Sequence, residues 1–88
     1  MYYLYILRCS DGSLYCGQTK DLDRRMKEHN SDGSKSKYTR TRRPVRLVYF
    51  EKYQTVNEVL RREWQVKRWS RSKKEALIQG SKVLLKKL

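Results

Sequence analysis

The chain has 88 residues, with 22 Lys and Arg against nine Asp and Glu, for a formal net charge of +13. That length allows one domain with a thin core, burying about 60–65% of the surface its unfolded form exposes. No apolar run is long enough to span a bilayer, and Met1-Tyr2-Tyr3-Leu4 has no charged segment ahead of an apolar one, so neither a membrane span nor a secretory leader is expected. A cytoplasmic location follows as the expectation. So much positive charge on so small a body repels itself, which points to a polyanionic partner, nucleic acid ahead of an acidic membrane surface.

Residues 2–9 are rich in Tyr, Leu and Ile and read as a strand, and 13–18 as its return. The turn between them decides which side chains share a face. A three-residue loop, Ser10-Asp11-Gly12 with Gly12 left-handed in a bulge, pairs Cys9 with Ser13. It sets Tyr5 opposite Gly17 and Leu7 opposite Tyr15, all on one face; a two-residue turn would send Tyr5 and Tyr15 to opposite faces. The longer loop also separates Cys9 from Cys16, which then cannot form a disulfide. Their spacing is not that of a zinc knuckle, and with a single His in the chain both cysteines read as reduced strand residues.

Asp21 is a good N-cap for the helix that follows, with Asp23 favouring its dipole. Leu22, Met26 and His29 share a face, and Arg25 lies one turn before His29, so the two polar side chains can converge on one ligand. The alternative is an ordinary helix edge, with Arg25 reaching to solvent and His29 bonded to a backbone carbonyl. Residues 30–44 read as a long loop carrying Lys35, Lys37, Tyr38, Arg40, Arg42 and Arg43 among several hydroxyls. Cations and hydroxyls suit phosphate oxygens, and Tyr38 suits a base face.

Residues 45–53 are apolar on both sides at their centre, which predicts an interior strand covered on both faces. Thr55-Val56-Asn57-Glu58 opens a second helix as a capping box. Val56, Val59, Leu60, Glu63 and Lys67 fall on one helical face, so Glu63 continues an apolar stripe as a carboxylate and calls for a cation, a metal or Lys67 at i+4. Ser72-Lys73-Lys74-Glu75 reads as a further capping box, and Gly80 as the end of a third helix. The domain is expected to span 1–80, followed by a basic tail, 81–88.

Together these residues resemble a known family. Tyr3-Leu4-Tyr5, the step to Tyr15-Cys16-Gly17, Arg25 eight beyond the glycine and a later helical Glu63 resemble the GIY-YIG nuclease domain, in its small stand-alone bacterial form. The resemblance covers residues 2–78 and extends to the nuclease domains of the bacterial excision-repair incision subunit and of eukaryotic structure-selective endonucleases. It implies an α/β (α+β) fold: a small three-stranded mixed sheet, hairpin, helix and third strand, flanked by helices in the order β-β-α-β-α-α. It implies divalent-metal-dependent hydrolysis of DNA phosphodiesters with one Mg²⁺ or Mn²⁺, in DNA repair or processing. By the same resemblance Glu63 holds the metal, Arg25 contacts the scissile phosphate, and Tyr5 or Tyr15 handles the attacking water. His29 takes a position that is His or Tyr in the family and is an alternative base; Gly12 and Gly17 are structural. Nearby cations would favour a phenolate.

Two motif positions depart from the family pattern, Tyr3 for its Gly and Cys16 for its Ile, and neither is a catalytic position. No second domain supplies specificity, so a structure-based or weak DNA preference, or a recruiting protein, is expected. Lys67 and Arg68 add to the basic surface. A binding module for DNA, or secondarily RNA, that uses this surface without turnover is the alternative, although a binder has no need of Glu63.

Overall fold

The computed structural model describes the backbone of residues 1–31 and 37–87, and the side chains of 1–31 and 38–80. Seven elements follow in order: β1 (Tyr2–Arg8), β2 (Leu14–Thr19), α1 (Leu22–His29), α2 (Lys37–Arg40), β3 (Arg46–Tyr53), α3 (Val56–Lys67) and α4 (Arg71–Lys87). Apart from α2, a single helical turn within the expected loop, this is the β-β-α-β-α-α order. Both strand pairings are antiparallel, in the order β2-β1-β3, where a mixed sheet was implied.

The hairpin has the three-residue loop. The Cys9 amide donates to the Ser13 carbonyl and the Gly12 amide to the Cys9 carbonyl, with Gly12 at φ 85°. A side chain is strained at that φ, which is why a glycine stands there. The resulting register opposes Tyr5 to Gly17 and Leu7 to Tyr15. Alternation then sorts the sheet into two faces. Leu4, Ile6 and Cys16 pack with Val59, Val66 and Ile78 of α3 and α4. Tyr5, Leu7 and Cys9 pack with Val45, Tyr15, Leu22, Met26 and Tyr38 on the α1 side. Cys9 and Cys16 are both buried and free, one on each face.

The interior strand is β1, not β3. Leu4 through Leu7 are all buried, whereas on β3 Leu47 is 36% and Phe50 50% exposed. Both runs are apolar enough to serve, but β1 pairs on both sides and β3 on one. A bulge between Ile6 and Leu7 shifts the β1–β3 register at the centre of that apolar run.

Two helix starts behave differently from each other. Thr55 caps α3, its side chain accepting from the Glu58 amide at 3.3 Å, as the sequence predicts. On α4 the cap is Ser70 rather than Ser72: the Lys73 amide donates to Ser70 Oγ at 3.3 Å. Glu75, expected to complete a box with Ser72, instead takes a two-pronged bond from Arg8 at 2.6 and 3.0 Å, tying α4 to the end of β1. Nor does Gly80 stop the helix. Such a stop uses a left-handed residue, and Gly12 is the glycine with positive φ among the described residues; α4 runs through Gly80 to Lys87. Thr55→Ala should lower stability by about 1 kcal/mol, the typical worth of an N-cap. Thermal unfolding would register it as a fall of about 4–8 °C.

A polar network holds α3 to the sheet. Glu51 accepts from Tyr53 Oη at 2.6 Å, from Tyr49 Oη, and from Arg62 Nε and Nη2 at 2.9 and 3.0 Å. These donors outweigh the desolvation of Glu51 and keep its carboxyl below the ordinary range. Both phenols are raised by burial and by the carboxylate they donate to, Tyr53 to about 12.

Candidate active site

The site begins on the α1 face of the sheet. Tyr5 on β1 is 1% exposed, and its ring lies across β2 where Gly17 leaves room for it. A Cβ added at Gly17 would stand 2.5 Å from Tyr5 Oη and 2.7 Å from Cζ, so the missing side chain is a packing requirement. Asp21 caps α1, accepting from the Arg24 amide at 3.1 Å. One and two turns on, α1 delivers Arg25 and His29 to the same atom. Arg25 Nε donates to Tyr5 Oη at 3.3 Å, and His29 Nε2 lies 2.9 Å from it. The pair expected to converge on one ligand thus converges on a phenol of its own chain.

His29 is 1% exposed, and its other nitrogen, Nδ1, lies 2.9 Å from Thr39 Oγ1 on α2, itself fully buried. Burial, helped by the Arg25 charge, holds the imidazole below its ordinary value, so it is neutral at pH 7. Burial likewise pushes the Tyr5 phenol up, more than Arg25 lowers it. The cation-favoured phenolate expected from the sequence is therefore not found at Tyr5, because desolvation is the larger effect.

Tyr15 stands beside this pair, half-buried. Its ring centroid is 6.4 Å from that of Tyr5, 5.2 Å from that of His29 and 5.7 Å from that of Tyr38. Among the described residues its hydroxyl has no hydrogen-bond partner. Of the two motif tyrosines, Tyr15 is thus the one whose hydroxyl is unengaged among the described residues.

Arg25 Nη1 also donates to Glu28 at 3.0 Å, and Glu28 bridges on to Arg24 Nε at 3.2 Å. A guanidinium has five N–H groups. Among the described residues Tyr5 and Glu28 take two, leaving three for an anion. A cleft of about 510 Å³ opens beside Arg25 at the end of β2, lined by Gln18, Lys20, Arg24, Glu28 and Val56 among others.

Glu63 comes from α3, which packs on the other face. Its charge raises both the Cys16 thiol of that face and, less, the Tyr5 phenol, in each case after the larger effect of burial. Its side chain is 19% exposed and pairs with Lys67 at 3.4 Å, so the i+4 partner anticipated from spacing is present. Among the described residues no three His, Cys, Asp or Glu side chains cluster as a metal group.

The loop cations divide. Arg42 is committed: it donates to Asp11 at 3.0 Å and to the Tyr38 carbonyl at 2.9 Å, and lies 4.1 Å over the Tyr38 ring. Arg43 donates to the Arg40 carbonyl at 3.0 Å, while Arg40 is exposed. Lys67 at the end of α3 and Arg68, its C-cap, are exposed, Arg68 lying 4.5 Å over the Trp64 ring. Lys35 and the Lys37 side chain lie outside the described residues.

Sequence reasoning missed Thr39 and Glu28. Glu28 was within reach, since it follows Arg24 and Arg25 at i+4 and i+3. Thr39 carried no signal, being one of several hydroxyls in an apparent loop.

Known proteins are similar to this chain. Residues 1–76 match the GIY-YIG catalytic domain. A UPF0213 protein of Staphylococcus aureus is 51% identical over 77 residues, covering 88% of this chain and 93% of its own, as is one from Staphylococcus saprophyticus. Among solved structures, EF2693 from E. faecalis has a TM-score of 0.65 at 39% identity, covering 93% of this chain and 86% of that one. The UPF0213 protein BH0048 from Bacillus halodurans has a TM-score of 0.58 at 49% identity, covering 90% and 84%.

Proposed function

The chain belongs to the GIY-YIG family, and from that membership and the geometry of its site we propose that it is a divalent-metal-dependent DNA endonuclease. The observation that carries the reading is the division of labour around Tyr5. Its hydroxyl and both His29 nitrogens are engaged inside the protein, Arg25 keeps N–H groups to spare, and the Tyr15 hydroxyl has no partner among the described residues. In-line attack on a phosphodiester needs an oriented water, a cation on the non-bridging oxygens and a stabilised leaving oxygen.

Tyr15 is the phenol suited to hold the attacking water. Arg25 forks onto the scissile phosphate in place of Glu28, as a guanidinium does bidentately. Glu63 would hold a single Mg²⁺ or Mn²⁺. The fit is chemical: the described residues hold no cluster of three ligands, and Glu63 would offer the ion a single carboxylate. Mg²⁺ suits that, since it keeps several waters and takes one or two carboxylates plus substrate phosphate. Its partner Lys67 is an exposed, flexible side chain able to leave it. A metal held by Glu63 would supply charge neutralisation at the phosphate oxygens.

The +13 net charge fits DNA as substrate, with Arg40, Lys67 and Arg68 exposed and Lys20 and Arg24 lining the cleft beside Arg25. Tyr38 and Arg42 shape the site's rim, and Lys35, Lys37 and Arg43 add charge to the same loop. Recognition is structure-based or weakly specific, in DNA repair or processing. A recruiting protein and the basic tail, 81–88, add to it. The protein works in the cytoplasm, where its two free cysteines stay reduced. No helix among the described residues is long and apolar enough to cross a membrane.

The test is nicking of supercoiled plasmid and cleavage of branched DNA by purified protein, with Mg²⁺, Mn²⁺ or EDTA. Cleavage that requires the metal is the expected result. Salt-sensitive binding without cleavage on every substrate would instead favour a binding module for DNA or RNA.

A further inference from the structure

A donor count around one buried oxygen fixes where the protons sit. Among the described residues Tyr5 Oη has two partners, Arg25 Nε and His29 Nε2. The guanidinium nitrogen can only donate. The phenol carries one proton of its own, and at 1% exposure that proton must meet an acceptor inside the protein. His29 Nε2 is the acceptor at hand, so it is unprotonated. A neutral imidazole then carries its proton on Nδ1, which lies 2.9 Å from Thr39 Oγ1. The opposite tautomer would aim two N–H groups at one phenol oxygen and leave the phenol proton without an acceptor at a buried position, which is unfavourable.

We propose that Thr39 is a positioning residue: its hydroxyl accepts from Nδ1–H and fixes His29 in that tautomer, which turns the Tyr5 proton inward and its lone pairs toward Arg25. The chain of bonds runs Arg25 Nε–H to Tyr5 Oη, Tyr5 O–H to His29 Nε2, and His29 Nδ1–H to Thr39 Oγ1. Through it α2, a single turn of helix, orients the guanidinium on the far side of the site. Thr39 touches no substrate. Its effect on cleavage rests on the nuclease reading above, but its effect on His29 does not.

His29 is the single histidine of the chain, so its ring nitrogens can be assigned without ambiguity. Nitrogen-15 NMR of the full-length protein at pH 7.5 should show Nδ1 as the protonated, pyrrole-like nitrogen and Nε2 as the bare one. Thr39→Val keeps the shape and removes the acceptor; it should mix the tautomers, and Thr39→Ser should restore the wild-type spectrum. On DNA, Thr39→Val should lower the single-turnover rate about 10-fold to 100-fold, the usual worth of a group that orients a catalytic one. Affinity should stay within about twofold while Thr39→Ser recovers the rate. A wild-type spectrum with the proton on Nε2 would overturn the proposal, and so would a Thr39→Val spectrum identical to wild type. If Thr39→Val fails to fold, the wild-type and Thr39→Ser spectra still decide. If the wild type cleaves no DNA, the nuclease reading fails and the spectra alone judge Thr39.

Discussion

Glu63→Ala should leave the protein folded and binding DNA while slowing metal-dependent cleavage about 100-fold or more. A Lewis-acid metal supplies several kcal/mol of transition-state stabilisation, and each 1.36 kcal/mol is tenfold in rate. Glu63 is the carboxylate that holds the metal on this reading, and Glu28 is already paired with Arg24 and Arg25. The fold has little at stake. The Glu63–Lys67 pair spans four helical positions with Lys67 half exposed, a contact worth about 0.3–0.5 kcal/mol at most. Alanine, in turn, is the best helix former. Single-turnover cleavage of plasmid, with thermal unfolding and DNA binding on the same samples, separates the effects. Cleavage at the wild-type rate would remove Glu63 from the chemistry, and loss of folding would make it a structural residue.

Gly17→Ala should damage both stability and cleavage. The new Cβ would meet Tyr5 Oη at 2.5 Å, Cζ at 2.7 Å and Cε2 at 3.2 Å. The neighbour cannot simply swing aside, because the ring is buried and its hydroxyl is held by His29 and Arg25. Overpacking of this kind costs about 1–3 kcal/mol. In a domain this small, Tm would fall by about 4–8 °C for each kcal/mol. Pushing the ring off its seat also moves the oxygen that orients Arg25, and a displacement near 1 Å in a positioned group can cost about 100-fold in rate. Thermal unfolding and single-turnover cleavage should therefore fall together. An unchanged Tm would show that the ring has room the contacts deny; an unchanged rate would detach Tyr5 from Arg25.

Much of this arrangement was legible in the chain. The hairpin register follows from alternation and one glycine: with Gly12 left-handed the loop has three residues, and a period of two then forces Tyr5 to face Gly17 and Leu7 to face Tyr15. The four-residue step from Arg25 to His29 puts both on one side of α1. Asp21 and Thr55 announce their helices because a cap is a contact between near neighbours in sequence. These inferences succeed because the interactions behind them close within a few residues or repeat with a fixed period.

What stayed hidden depends on partners distant in sequence. Leu4–Leu7 and Leu47–Phe50 are both apolar runs, and which becomes the central strand is settled by pairing on both sides, a fact about three segments at once. Ser72-Lys73-Lys74-Glu75 has the form of a cap, yet Arg8, 67 positions away, claims Glu75 and the helix starts from Ser70 instead. Arg42 looks like a free cation until Asp11 and Tyr38 are found beside it. Spacing could bring Arg25 and His29 together, but only the packed interior decided that they meet on Tyr5, where burial raises the phenol and lowers the imidazole. The sequence by itself determined the β-β-α-β-α-α order, the hairpin register and the family. The tertiary structure decided the central strand, the meeting of Arg25 and His29 on Tyr5 and the place of Thr39, because desolvation and the pairing of buried donors exist only once the chain has closed around them.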